Sequence, residues 1–558
     1  MEVEMYNIAW LFIDGVRRYH TNDDRGRLDF MDKFAHDSVE FKNVVTSAPS
    51  TYMSISAMMS GLPSYYINRN YSDFIYEDNL IPSLRSILIN HGYENYNFWM
   101  SKESRETMKG LLPVIEHKYW PKSYKHRQWW DNQRINDLLD YFLQNKEFNK
   151  PTFFFVDYNC REDPLTSDRV KWAYNKFKDY GFSEENTIYI LCSDHGYPDP
   201  SKETGRPEYY RKNNLSHDLV LSDDNIMIPL LIQYPGCPKG KKIETTVGSI
   251  DIYPTIMDIL GIDNKNEIHG NSLLPLISDS KEYQKMMESR FLRCDSRLSF
   301  QTGKGTAIRN SEFKYIYYQD KLRGGDQEKF FDIKNDELEK NNLINSENAN
   351  IRKYLEIFRK LFQDCENDAI NFQFNYLFDK FSGNHKIGIE NAKEILITDS
   401  CNPIFIDMLV RMIKKLNKRI TIYVLIVEHD KDNFRENIVP VYSRSNSWSR
   451  INVKAVRNKR FDIIFAPYNT SEQRNNISFK KNVKKMIAKK IFFLDYNMES
   501  FKKTIIGYYW KKFKISWSFM KYEPQYLIFW FSEYLMKGLI KNISDKYKNL
   551  KGVNSKTL

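Results

Sequence analysis

With 558 residues the chain has room for more than one domain, at roughly 150 residues each, and 41% apolar residues supply a large core. Its 28% charged residues are those of a globular rather than a disordered protein, and six scattered cysteines without a C-x-x-C pair argue against a disulfide framework or a cysteine zinc site. The net charge of +11 admits an anionic partner, although a Lys- and Asn-rich chain reaches that value without one.

The opening "MEVEMYNIAWLFIDGVRR" places acids before a short apolar run, Ile8 to Ile13, which is not the pattern of a secretory signal. No window reaches the roughly 18 uncharged apolar residues of a membrane span. A cytoplasmic protein is the expectation. The run reads as a buried strand that closes on Asp14. Next comes "VVTSAPSTYMSISAMMSGLPS" (44–64), crowded with hydroxyl side chains ahead of a predicted helix. Three more strand-like runs follow, "PTFFFVDY" (151–158), "TIYILCS" (187–193) and "MIPLLIQY" (227–234). Continuous apolar strands between helices predict a parallel sheet covered on both faces. In such folds the chemistry lies beyond the carboxyl ends of the strands.

Two of those ends carry Asp14 and the "SDHG" of Ser193 to Gly196. Asp14, Asp194 and His195 together suit a divalent ion such as zinc or manganese, while an Asp after a strand also suits a helix cap. A hydroxyl beside such an ion has a lowered pKa and becomes a usable nucleophile. Arg17 and Lys212 are candidates for neutralising a bound phosphate, with solvation as the alternative.

Beyond 362 the pattern changes. "QDCENDAINFQFNYLFDKFSGNHK" reads as a helix and connector (363–385). "AKEILITDS", "PIFIDMLVRMIKKLNK" and "RITIYVLIVEHD" form a β-α-β unit, and "RFDIIFAPYN" and "AKKIFFLDYN" add two strands. This is a second, Rossmann-like α/β domain (386–500) without a G-x-G-x-x-G or P-loop. Fold analogy suggests acceptor binding. The tail (501–558) mixes aromatics with lysines, as a helix on an anionic membrane surface would; packing against the second domain is the alternative. Nucleic acid is not expected as the partner.

The first 362 residues resemble the sulfatase-type branch of the alkaline phosphatase superfamily. The matching pieces run in order: "NIAWLFIDGVRR", "LDFMDKFAHDSVEFKNVVTSAPST", "SGLPS", "SLRSILINHGYENYNFW", "ENTIYILCSDHG", "IMIPLLIQYPG", "SIDIYPTIMDILGI", "HGNSLLPLI", "AIRNSEFKYIYYQD" and "KFFDIKNDELEKNNL". The resemblance implies a doubly wound α/β domain with metal and nucleophile at the strand carboxyl ends, and a smaller C-terminal subdomain (289–362). It also implies an order for the hydroxyls. Sulfatases carry C-x-P-S-R, the Cys oxidised to formylglycine, with a Gly ten positions after that Cys. Gly61 then puts Thr51 at the nucleophile position and Ser54 where the family keeps a Ser. The rival register starts at Ser47 of "SAPS", but Thr51 stands where its Arg should be.

Threonine cannot become formylglycine, so Thr51 implies a phosphothreonine intermediate, as in phosphodiesterases and phosphoglycerol or phosphoethanolamine transferases of this superfamily. Asp14, Asp194 and His195 are the implied ligands, with Thr51 Oγ beside the ion. His217 stands where similar enzymes place a His that contacts substrate or metal, a helix-capping or surface His being the alternative. One ion is expected: manganese or zinc before magnesium or calcium, because His195 is a ligand. Two departures stand out. Gly15 replaces the second Asp of many sulfatases, and Glu162 lies near a missing His. Three functions follow. The first is a phosphoryl-group transferase or phosphodiesterase that uses a phosphate-containing donor and a glycan or lipid-linked glycan acceptor. The second is a sulfuric ester hydrolase, and the third a catalytically silent scaffold.

Overall fold

The computed structural model describes residues 5–18, 29–67, 83–98, 132–159, 165–197, 217–263, 268–296, 304–319, 327–382, 389–398, 403–427, 439–443, 459–467 and 487–494. Lys212, residues 162–164 and the 501–558 tail lie outside them. The chain divides into two compact units, the first reaching Gly383 and the second starting at Asn384.

An eight-stranded sheet organises the first unit. Its strands are β1 (Asn7–Asp14), β2 (Val39–Val45), β3 (Glu94–Phe98), β4 (Thr152–Asn159), β5 (Thr187–Cys192), β6 (Met227–Gln233), β7 (Lys241–Ile243) and β8 (Val247–Gly248). The order is β3-β4-β1-β5-β6-β2-β7, with β8 also on β2. The expected parallel core is β3-β4-β1-β5. The strand Met227–Gln233 differs, because it runs antiparallel to β5, with Cys192 opposite Leu230. An apolar run carries no direction, and an antiparallel neighbour requires no crossover helix. The reversal starts β6 at the carboxyl end of β5, so the residues just before Met227 lie where the chemistry is expected.

Both sheet faces are covered, which explains the unbroken apolar run of β1. Ile8, Trp10 and Phe12 join one core with α2 (Thr51–Ser60), α3 (Leu84–Asn90) and α6 (Ile252–Ile259). Ala9, Leu11 and Ile13 join the other with α1 (Asp29–Ala35), α4 (Asn132–Asn145) and α5 (Thr166–Asp179). Each fully buried large side chain contributes about 1.5–3 kcal/mol of transfer free energy, and together they fix where the strands end.

A four-stranded antiparallel sheet forms the C-terminal subdomain: β9 (Leu292–Asp295), β10 (Lys304–Arg309), β11 (Phe313–Gln319) and β12 (Gln327–Asp332). One face packs on α7 (Ala349–Ser382) through Phe313, Phe330, Leu355 and Phe358. The other packs on Leu219, Leu221 and Met227 of the main domain. Helix α7 runs past 362 without a break and occupies most of the expected 363–385 connector. No Gly or Pro interrupts it before Gly383.

The second unit is a parallel sheet of β13 (Glu394–Thr398), β14 (Thr421–Val427), β15 (Val439–Ser443), β16 (Arg460–Pro467) and β17 (Ile487–Leu494), with α8 (Pro403–Leu416) between the first two. Its order, β15-β14-β13-β16-β17, is the doubly wound pattern of a Rossmann-like sheet. The short strand β15 went unread in the sequence.

Candidate active site

Asp14 ends β1, and Asp194 and His195 follow β5 on the neighbouring strand. Gly15, at φ 80°, turns the chain there, a conformation that suits glycine. Its N–H donates to Asp194 Oδ1 (3.1 Å), and the Val16 N–H donates to Ser193 Oγ (3.0 Å). The two strand ends are thereby locked together. Asp194 and His195 are fully buried.

The hydroxyl-rich segment sorts into distinct duties. Thr46 Oγ1 and Ser54 Oγ both donate to the Asp194 carbonyl, at 2.5 and 2.8 Å. They fix the backbone that carries the acid. Ser47 faces elsewhere: its buried Oγ accepts from the Ser64 N–H at 2.7 Å. Ser56 Oγ donates to the Tyr52 carbonyl within α2. Thr51 is the first residue of α2, and its Oγ1 lies 3.4 Å from His195 Nε2. Gly61 caps the helix at φ 68°, where an added Cβ would stand 2.6 Å from the Tyr253 ring.

The donor set fits a cation. His195 Nδ1 lies 2.6 Å from the Gly196 carbonyl, which assigns the N–H to that nitrogen in the neutral ring. Nε2 then faces Asp194 Oδ2 at 3.2 Å and Asp14 Oδ1 at 3.7 Å. One ligand atom from each of Asp14, Asp194 and His195 lies within 4.8 Å of the others. Buried Asp194 Oδ2 makes no hydrogen bond among the described residues. A lone pair and acceptor-only oxygens converging out of water are costly unless a cation joins them. Burial opposes charge on the His195 ring, but the Asp194 and Asp14 carboxylates outweigh it and raise its pKa. The Asp194→Ala, His195→Ala double variant is expected to lose the roughly one divalent ion per chain that elemental analysis of the parent should find. Full metal content in that variant would sink the assignment.

His217 joins this group. Its ring stacks on His195, centroids 4.3 Å apart, and its Nε2 is 3.0 Å from Asp218 Oδ1. Burial lowers its pKa, and the neighbouring His195 adds to that, against the pull of Asp218. Asn225 holds the loop by donating to the His217 and Val220 carbonyls at 2.9 and 2.7 Å. Gly196 packs where a Cβ would lie 2.2 Å from the Asp224 carbonyl oxygen and 2.8 Å from Arg17 Cβ. Arg17 is therefore buried against the "SDHG" turn rather than solvated. The structure thus brings together Asp14, Arg17, Thr51, Asp194, His195 and His217. Among the sequence candidates only Lys212 falls outside the described residues.

Two groups escaped the sequence reading. Arg309 and Lys314, opposite each other on β10 and β11, bind Asp223 at 2.7 and 2.8 Å and so anchor the loop that carries His217. Asp157, on β4, stands in register with Phe12, two pairs below Asp14 and Asn159. An acid inside the apolar "FFFVDY" run was the available signal.

Residues 7–183 match the Sulfatase family model, and residues 217–367 match the model described as N-sulphoglucosamine sulphohydrolase, C-terminal. Arylsulfatase K of Danio rerio is 29% identical over 166 residues, covering 29% of this chain and 28% of that protein. Arylsulfatase K of Homo sapiens is 24% identical over 231 residues, covering 40% and 38%. The chain thus spans well under half the length of these relatives. Among solved structures, one from Bacteroides thetaiotaomicron assigned as a sulfatase shares 18% identity at a TM-score of 0.51, over 66% of this chain and 93% of that one. A 2-O GAG sulfatase gives 18% and 0.50 over the same shares. Both family models end before the second unit begins.

Proposed function

The chain belongs, in its first unit, to the sulfatase-like branch of the alkaline phosphatase superfamily, and from that premise we propose that it is a metal-dependent phosphoester hydrolase or phosphoryl transferase with Thr51 as nucleophile. The observation that carries the reading is Thr51 Oγ1 at the start of α2, 3.4 Å from His195 Nε2, the nitrogen that the two acids also face. Asp14, Asp194 and His195 would hold the ion. When bound, it would lower the pKa of the adjacent hydroxyl and offset the acids against an anionic substrate.

The chain's own residues supply the rest. Thr51 Oγ forms a bond to phosphorus as the bond to the leaving oxygen breaks, and the leaving oxygen takes up a proton. The first N–H groups of α2 have no partners within the helix and lie at its positive end, so they favour the negative phosphoryl group attached to Thr51. Water, or an acceptor hydroxyl, then attacks phosphorus and releases Thr51. Arg17 adds fixed positive charge beside the "SDHG" turn, and His217 is placed to exchange a proton with substrate. Transfer to a glycan or lipid-linked glycan is the finer version of this reading. The fused second α/β unit supports it by analogy alone.

Sulfate ester hydrolysis, which the relatives' names suggest, conflicts with Thr51, since formylglycine arises from Cys or Ser. Aryl phosphodiesters or phosphonate monoesters are therefore expected to turn over faster than aryl sulfates in parallel assays of the metal-loaded protein. Strong sulfatase activity without phosphoesterase activity would reverse the proposal.

A further inference from the structure

The first position after β1 carries no side chain that can serve a cation, because it is Gly15. The neighbouring strand places an acid close by. Asp157 is paired with Phe12 across the β1–β4 ladder, so its side chain leaves the sheet on the face that Phe12 and Asp14 share. That face is otherwise apolar there, built by Trp10, Phe12, Phe153 and Phe155. Asp157 keeps 9% of its surface exposed, and its Oδ1 is buried without a hydrogen-bond partner among the described residues. Burial raises its pKa well above the usual range, and the charges of Asp14 and Asp194 raise it further. A carboxylate set in an apolar face with a buried oxygen that nothing among the described residues satisfies serves neither packing nor solubility.

The ligand atoms that lie within 4.8 Å of one another among the described residues are those of Asp14, Asp194 and His195, without Asp157. We infer that Asp157, from the strand paired with β1, contributes a further carboxylate to the cation held by those three, through a bound water rather than directly. The inference rests on the metal reading of that group. A third carboxylate brings more negative charge and fixes that water as another oxygen donor, and ligand charge and count are what set affinity in such centres. The same carboxylate burdens the metal-free protein, so the two states should respond oppositely to its removal.

The experiment uses the full chain, stripped of metal and titrated with Mn2+ or Zn2+ against a chromophoric chelator. Asp157→Asn and Asp157→Ser are compared with the parent and with Asp194→Asn. Both Asp157 variants are expected to bind the ion about 10- to 100-fold more weakly. Their metal-free unfolding midpoints should be equal to or above the parent's, and the gain in midpoint on adding metal should shrink. Parent-like affinity in both Asp157 variants, with affinity lost in Asp194→Asn, would overturn this inference and leave the centre standing. Parent-like affinity in Asp194→Asn as well would remove the metal reading itself.

Discussion

Thr51→Ala is expected to lose on the order of 10³-fold or more of turnover while unfolding at nearly the same denaturant concentration as the parent. The asymmetry follows from what the hydroxyl touches. Thr51 is partly exposed, and its described contact is the 3.4 Å approach to His195 Nε2. Removing it deletes the covalent step and little packing, so stability should shift by no more than about 0.5 kcal/mol. Ser47→Ala should behave in the opposite way. Its buried Oγ accepts from the Ser64 N–H, and its main chain is bonded to Ser249 and Asp295. Losing the acceptor strands a buried donor, at about 1–3 kcal/mol, and should leave most of the activity. Peptide mapping after incubation with a phosphodiester should find a phosphoryl adduct on Thr51 in the parent and none in Thr51→Ala. An active Thr51→Ala with an inactive Ser47→Ala would return the lead to the sulfatase register.

Lys314→Met is expected to cost about 3–5 kcal/mol at pH 8, the largest stability loss anticipated here from a single side chain. The Lys314 side chain is fully buried on β11 and binds Asp223 Oδ1 (2.8 Å), the Leu221 carbonyl (3.0 Å) and Glu339. Methionine fills similar volume but leaves Glu339 without its cation and Asp223 with Arg309 alone. The damage should depend on pH. Burial opposes the Asp223 carboxylate, but Arg309 and Lys314 more than offset it and hold its pKa down at about 2. Its stabilising contribution is therefore present above the ordinary value of 3.8 and lost as pH falls from there towards 2. Burial, with Asp223 alongside and Lys314 opposing, pushes Glu339 up to about 7 from 4.5. The folded state thus holds that proton more tightly, and the Glu339 contribution is lost as pH rises from 4.5 through 7. At pH 5 Glu339 is already protonated and misses Lys314 less. Urea unfolding should show a smaller loss for Lys314→Met at pH 5 than at pH 8. Activity should also fall, because the cluster seats the loop that brings His217 onto His195. Equal stability of variant and parent at pH 8 would remove this account.

The apolar runs of β1, β4, β5 and β6 were readable as strands because a strand buried on both faces must be apolar throughout. Asp14, which closes β1, and Asp194, just past β5, were readable as a site because α/β sheets open at their carboxyl ends. The ordered family pieces from "NIAWLFIDGVRR" to "KFFDIKNDELEKNNL" identified the first unit, and the alternation beyond residue 386 identified the second. Less was legible where direction or length mattered. The reversed β6, the short Pro-containing β15 and the uninterrupted α7 each depend on packing that local pattern does not carry.

Residue type, order and strand ends were thus determined by the sequence, since they follow from periodicity and from which side chains can bind a cation or attack phosphorus. The sorting of the hydroxyls was decided only by the fold. Ser54 and Thr46 clamp Asp194, Ser47 holds Ser64, and Thr51 faces His195, through contacts between residues as far as 148 positions apart. The seating of His217 by Arg309 and Lys314, and the placing of Asp157 on the sheet face that Asp14 shares, were decided in the same way. The reason is physical: a hydroxyl or carboxylate takes its role from what stands within about 3 Å of it, and strand register, not chain order, sets those neighbours.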